Sequence, residues 1–230
     1  WSDIMCPFCY IGKHKFEKAL AQFPQKDKVE IVWKSFQLMP DFKTKADSNL
    51  DQFLADEKGI SIEQAKSLNN QVARIAKEIG LNYDFSKTIP ANTFNAHRFI
   101  HFAKANGKLD EAEEKLFQSY FINGKNIDDY TTLIQLGKEI GLDTNTLKAT
   151  LENGSYSDEV RADIYEAQQV DVRGVPFFLF DKKIAVSGAQ NPQTFLQALE
   201  KSYTERQKNN PNVDIKVIKA KVCTPERKCN

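Results

Sequence analysis

The chain has 230 residues, 41% hydrophobic and 27% charged, which is enough apolar material for a sizeable core in one large domain or two small ones and too much for a disordered or fibrous chain. Its 32 basic and 31 acidic residues leave a formal charge of +1, so the overall field gives no drive towards nucleic acid or an anionic membrane. The longest apolar stretch, Val175 to Phe180, contains a proline and falls far short of the roughly 20 residues a membrane-spanning helix needs. The chain opens on Trp1 and not on methionine, which reads as upstream residues removed, processed or omitted.

Pro7 suits a first helical turn, where a missing N–H costs nothing, and Phe16, Leu20 and Phe23 recur at helical spacing until Phe23-Pro24 stops the helix. Val29 to Leu38 is rich in β-branched and aromatic residues and ends at Met39-Pro40, which predicts a strand. From about Ser48 to Gln169 the pattern is helical, with breaks at Gly59 to Ser61, Tyr83 to Ala91, Gly107, Asn123-Gly124, Gly141 and Asn153-Gly154. Ala76 to Leu81 and Gly137 to Leu142 look alike, and a glycine after a last helical turn is the ordinary helix-end signature, so the likeness need not be a repeat. Val175 to Phe180 and Ile184 to Ser187 predict two strands joined by Asp181 to Lys183, and Asn191-Pro192 caps a helix carrying Phe195, Leu196 and Leu199. The tail alternates at Val213, Ile215 and Val217, shifts phase at Ile218, and reads as a bulged edge strand.

Four cysteines are too few for a disulfide scaffold, and they come in two close pairs: Cys6 with Cys9 near the start, Cys223 with Cys229 near the end. A C-x-x-C at a helix N-terminus is a workable disulfide-exchange device. Unpaired N–H groups and the helix dipole favour a thiolate, lowering a cysteine from its free value of about 8.5 to between about 3.5 and 7.5 in such motifs. The first cysteine attacks, and the second, one turn away, resolves the mixed disulfide. Taken alone, the pair fits half of a zinc site equally well.

Asp3-Ile4-Met5-Cys6-Pro7-Phe8-Cys9-Tyr10-Ile11-Gly12-Lys13, followed downstream by Gly174-Val175-Pro176-Phe177-Phe178 and Ser187-Gly188-Ala189-Gln190, resembles the DsbA-like thioredoxin superfamily and its FrnE branch in particular. Asn92-Thr93, Ala96-His97-Arg98, Leu116-Phe117, Tyr120-Phe121 and Gly124 add to the likeness, which spans nearly the whole chain. The resemblance implies an α/β protein, a thioredoxin fold interrupted by a large all-helical insertion. Residues 1–42 and 170–204 would form the thioredoxin-fold domain, its first strand truncated, with 43–169 as the insertion and 205–230 as a tail carrying the second cysteine pair. It implies a thiol-disulfide oxidoreductase or isomerase that forms, reduces or rearranges protein disulfides, with Cys6 the nucleophile and Cys9 the resolving thiol. Pro7, Phe8, Val175 and Pro176 would face the substrate, Phe8 as its aromatic contact, with Val175-Pro176 as a cis-proline loop. Cys223 and Cys229 would be a second redox pair, with an inert local disulfide and a metal or intermolecular bond as the alternatives. The residues between the first cysteines are Pro7 and Phe8, with no histidine, so a strongly oxidising character is not implied.

Two other classes stand beside this one. Glutathione-dependent isomerases and kappa-class transferases share the scaffold but commonly have serine at the Cys6 position, and a zinc module would use all four cysteines. His97 and His101 sit at i, i+4, yet Arg98 stands where a zinc-protease helix needs glutamate, so both are read as structural or surface residues. His14 is read as solvent-facing. The expected partners are protein or peptide thiols and disulfides, with glutathione or thioredoxin as redox partner. No cofactor, resident metal, nucleic acid or membrane is expected, the chain is expected to be a monomer or homodimer, and the setting is a bacterial-type cytoplasm.

Overall fold

The computed structural model describes residues 1–45 and 48–208 and the backbone of one further strand, Lys216–Ile218. The first helix, α1 (Pro7–Gln22), starts with Cys6 as its N-cap and Pro7 at its first position, and ends where Phe23 turns extended. Seven helices follow: α2 (Leu50–Lys58), α3 (Ile62–Lys77), α4 (Phe94–Ala105), α5 (Leu109–Phe121), α6 (Tyr130–Glu139), α7 (Thr144–Glu152) and α8 (Ser157–Gln169). Their ends are written locally. Ser61 and Gln64 form a capping box on α3, while Asp129 and Asp143 accept from Thr132 N and Thr146 N to cap α6 and α7. The two similar hexapeptides are the same helix-ending turn. Gly80 and Gly141 take positive φ, and Leu81 N and Leu142 N donate back to Ala76 O and Gly137 O.

Strands β1 (Phe177–Phe180) and β2 (Ile184–Ser187) pair antiparallel, with Phe177 opposite Ser187. Strand β3 (Lys216–Ile218) lies parallel to β2 on its other side, inside the tail segment expected to be an edge strand. On the far side of β1, Phe177 N donates to Trp1 O, Ser2 N to Lys34 O and Phe36 N to Ser2 O. Among the described residues the stretch Val29 to Leu38, expected to be a strand, forms only an isolated parallel bridge, between Ser35 and Ser2. Cys223 and Cys229 lie outside the described residues.

Alternate residues of β1 and β2 serve two cores. Ile184 and Val186, with Phe178 and Phe180, face Phe16, Ala19 and Phe23 of α1 and Phe195, Ala198 and Leu199 of α9 (Pro192–Gln207). Phe177, Leu179 and Ala185 face the larger core, which joins Ile4, Cys9 and Ile11 to Phe99, Leu116, Phe117, Tyr120 and Leu133 of the helical block. The start of α1 is thus enclosed by the block on one side and carried on the sheet by the other. No helix among the described residues is long and apolar enough to cross a membrane.

One polar cluster fastens the block to the chain beside the sheet, and a second ties helices together within the block. Asp163 of α8 accepts from Lys34 Nζ at 2.8 Å, from Ser35 N at 3.0 Å and lies 3.0 Å from His101 Nε2. Together these hold its carboxyl down at about 2, against the opposing cost of burial. Arg98 of α4 donates to Thr150 O, Leu151 O and Ser155 O, closing the last turn of α7. His97 and His101 serve the first of these: His101 meets Asp163, and His97 Nε2 donates to Phe36 O at 2.9 Å and lies 3.4 Å from Asp3 Oδ1.

Candidate active site

Cys6 and Cys9 stand at the N-cap and in the first turn of α1, both as thiols. The Cys6 thiol donates to Val175 O at 3.5 Å, although the two residues are 169 positions apart in sequence. The bond that follows, Val175–Pro176, is cis. Close packing of α1 on this loop is eased by the absence of a side chain at Gly12: a Cβ there would lie 3.0 Å from Pro176 Cγ and 3.4 Å from Phe178 Cζ, so those side chains would have to give way slightly. Behind the cysteines, buried Asp3 holds the turn from within. Its carbonyl accepts from Cys6 N, and its Oδ2 accepts from Leu38 N at 2.7 Å.

The surroundings of Cys6 differ from those expected. Its side chain is not at an exposed helix end but 0% exposed, and Cys9 is 1% exposed. Burial, the neighbouring Cys9 thiol and the charge of Asp3 push the Cys6 thiol well above its ordinary range, and the backbone N–H of Cys9, the helix-end effect that favours a thiolate, offsets this only in part. In the dithiol form the pair is buried and the Cys6 thiolate is disfavoured. Phe8, expected to face the substrate, is also buried, since its position in the first turn of α1 points into the large core. Pro7 and Met5 are the parts of this turn that reach the surface.

The helical block supplies residues that sequence reasoning did not single out. Tyr83, in the loop after α3, donates its hydroxyl to Pro7 O at 2.8 Å and stacks on Phe121, with centroids 4.8 Å apart. Tyr10, the residue after Cys9, stacks between Tyr83 and Phe117 and donates to Glu114 of α5. The same carboxylate accepts from Lys13 at 2.7 Å and lies 3.5 Å from His14, so His14 is half-buried against α5 instead of facing solvent. Lys13, Tyr10 and His14 together hold Glu114 well below the usual carboxylate range. Next to it Glu113 is buried with its Oε2 unpartnered among the described residues, and burial pushes its carboxyl up to about 8. Tyr83, Glu113 and Glu114 carried no signal in the sequence, whereas Tyr10 and Lys13 lie within a turn of the cysteines and Phe117 and Phe121 belong to the stretches that carry the family likeness. No group of metal-ligating side chains forms among the described residues.

The profile of the DSBA-like thioredoxin domain matches residues 1–200. The chain belongs to this family. A structure of a probable DsbA oxidoreductase from Streptomyces coelicolor is 36% identical, with a TM-score of 0.84 over 100% of this chain and 96% of that one. The uncharacterized protein YwbO of Bacillus subtilis is 30% identical over 90% of this chain and 96% of its own length. The cytosolic disulfide reductase DsbM of Pseudomonas aeruginosa, solved with GSH, shares the fold at 15% identity and a TM-score of 0.58, covering 90% of this chain and 96% of its own. The DsbA-like thioredoxin fold with its helical insertion thus carries a DsbA-like thiol-disulfide oxidoreductase.

Proposed function

We propose that Cys6 and Cys9 are the redox centre of this oxidoreductase and that it exchanges disulfides with protein or peptide substrates. The observation that carries this reading is the meeting of the C-x-x-C turn with Val175-Pro176 across 169 positions of sequence. Cys6, as thiolate, attacks one sulfur of a substrate disulfide and expels the other as a thiolate that takes up a proton. Cys9, deprotonated in turn, attacks Cys6 Sγ, releases the second substrate thiol and leaves the Cys6–Cys9 disulfide, so that two electrons have passed from protein to substrate. Run backwards, the same steps oxidise a substrate dithiol. A shuffled substrate is isomerised when it resolves the mixed disulfide itself.

Val175 offers backbone groups to an extended substrate segment, and Pro7 and Pro176 flank the sulfurs. Because the Cys6 side chain is buried, attack requires a local opening that admits substrate, and the same opening relieves the burial that disfavours the thiolate. Residues 1–42 and 170–204 constitute the thioredoxin-fold unit in this reading, with 43–169 as an insertion roofing the site. Glutathione or a thioredoxin-like dithiol resets the centre in a bacterial-type cytoplasm, and Cys223 with Cys229 serves as a second pair that exchanges with it. Serine variants test the reading. Cys6→Ser should abolish dithiol-dependent reduction of insulin, whereas Cys9→Ser should accumulate covalent mixed disulfides with substrate. Substantial turnover by Cys6→Ser overturns it.

A further inference from the structure

Beside the redox turn lies an open groove of about 500 Å³, lined by Asn70, Ala73, Arg74 and Lys77 of α3 and by Leu81, Asn82 and Tyr83 of the loop that follows. Positions 70, 73, 74 and 77 fall on one face of the helix by their spacing. The groove floor is made by the buried Leu81 and the small Ala73, while both cations stand exposed on its wall. Neither Arg74 nor Lys77 has a carboxylate partner among the described residues, so both charges are available on the groove wall. The inner end of the groove is Tyr83, and its hydroxyl is bonded to the carbonyl of Pro7, between the two cysteines.

We infer that this groove is a substrate subsite that takes an acidic polypeptide segment flanking the disulfide. Three features select that chemistry. Arg74 and Lys77 stand free to pair with side-chain carboxylates, Asn70 and Asn82 offer amide donors and acceptors to an extended backbone, and the groove is open to solvent along its length, as a chain passing through it requires. Tyr83 then links occupancy to the redox centre, since a segment lying against its ring abuts the group that holds the Pro7 carbonyl. The inference rests on the exchange reaction proposed for Cys6 and Cys9 and adds its substrate preference.

The test compares reduction of three disulfide-linked fluorescent peptides, with acidic, neutral and basic flanks, and of 2-hydroxyethyl disulfide, a small uncharged substrate. Exposed ion pairs contribute little each, so wild type should favour the acidic over the basic peptide by about three- to tenfold in kcat/KM at low ionic strength, a ratio that shrinks in high salt. The exposed-site variant R74E/K77E should invert the ratio, R74Q/K77Q should bring it near one, and K138E/K148E, which makes the same change of net charge away from the groove, should keep the wild-type ratio. Equal rates on the three peptides in wild type, a preference untouched by R74E/K77E, or one equally lost in K138E/K148E would overturn the subsite. Selective stimulation by free glutathione disulfide, with no peptide preference, would overturn it in favour of a small-molecule site. Failure of wild type to reduce any disulfide, 2-hydroxyethyl disulfide included, would instead refute the exchange reaction itself.

Discussion

Replacing Asp163 by asparagine keeps the side-chain shape and removes the charge that ties α8 to residues 34–35. In the folded protein this carboxyl sits at about 2 against 3.8 when free. Its side chain is only 6% exposed, so solvent screening takes little from the interaction. At 1.36 kcal/mol per unit, the difference corresponds to about 2.5 kcal/mol of stability at neutral pH. The sign follows from the depressed value: the contribution is complete above the unfolded carboxyl's range and is lost as pH falls from about 4 towards about 2. Urea unfolding followed by circular dichroism should therefore show D163N less stable than wild type by about 2.5 kcal/mol at pH 7 and by about half as much at pH 3. For a chain of this size, a drop in Tm of about 5 to 10 °C at pH 7 is the thermal counterpart. A gap that stays constant between pH 7 and pH 3 would show that Asp163 acts through shape or hydrogen bonding and not through its charge.

Glu113 works in the opposite direction: its carboxyl is raised to about 8, so wild type loses stability as pH climbs from about 4.5 to 8. E113Q should match wild type near pH 4.5 and exceed it by on the order of 4 kcal/mol at pH 8, which thermal melts across that range would check. Gly12→Val should lower stability by about 1 to 3 kcal/mol through overpacking against Pro176 and Phe178, net of the small gain from replacing a helical glycine, and should slow insulin reduction by displacing the loop from Cys6. Full activity in a stable Gly12→Val protein would mean that this contact does not position the loop. Arg98→Met strands three carbonyls of α7 and its following turn, and should cost about 3 to 5 kcal/mol with most of the loss retained in Arg98→Lys, as measured by urea titration.

Much of this protein is readable from residue order because the signals are local. Pro7 at a helix start, Asn191-Pro192 at another, glycines at helix ends and the short apolar run Ile184 to Val186 each depend on neighbours a few positions away, and the structure places these elements where the patterns do. The C-x-x-C at the head of α1 is of the same kind. Other features required the tertiary structure. Val29 to Leu38 has strand composition, but a ladder depends on a partner remote in sequence, and among the described residues it makes one bridge, Ser35 to Ser2. A cysteine at a helix N-terminus is expected to be an exposed thiolate when only its own helix is considered; the block packed over the helix makes it a buried thiol, since desolvation there outweighs the helix-end N–H. Tyr83 on Pro7, Glu114 on Lys13 and Tyr10, and the groove that brings Arg74 and Lys77 beside Tyr83 are meetings of residues whose spacing carries no mark of them, because burial and contact are decided by the whole fold.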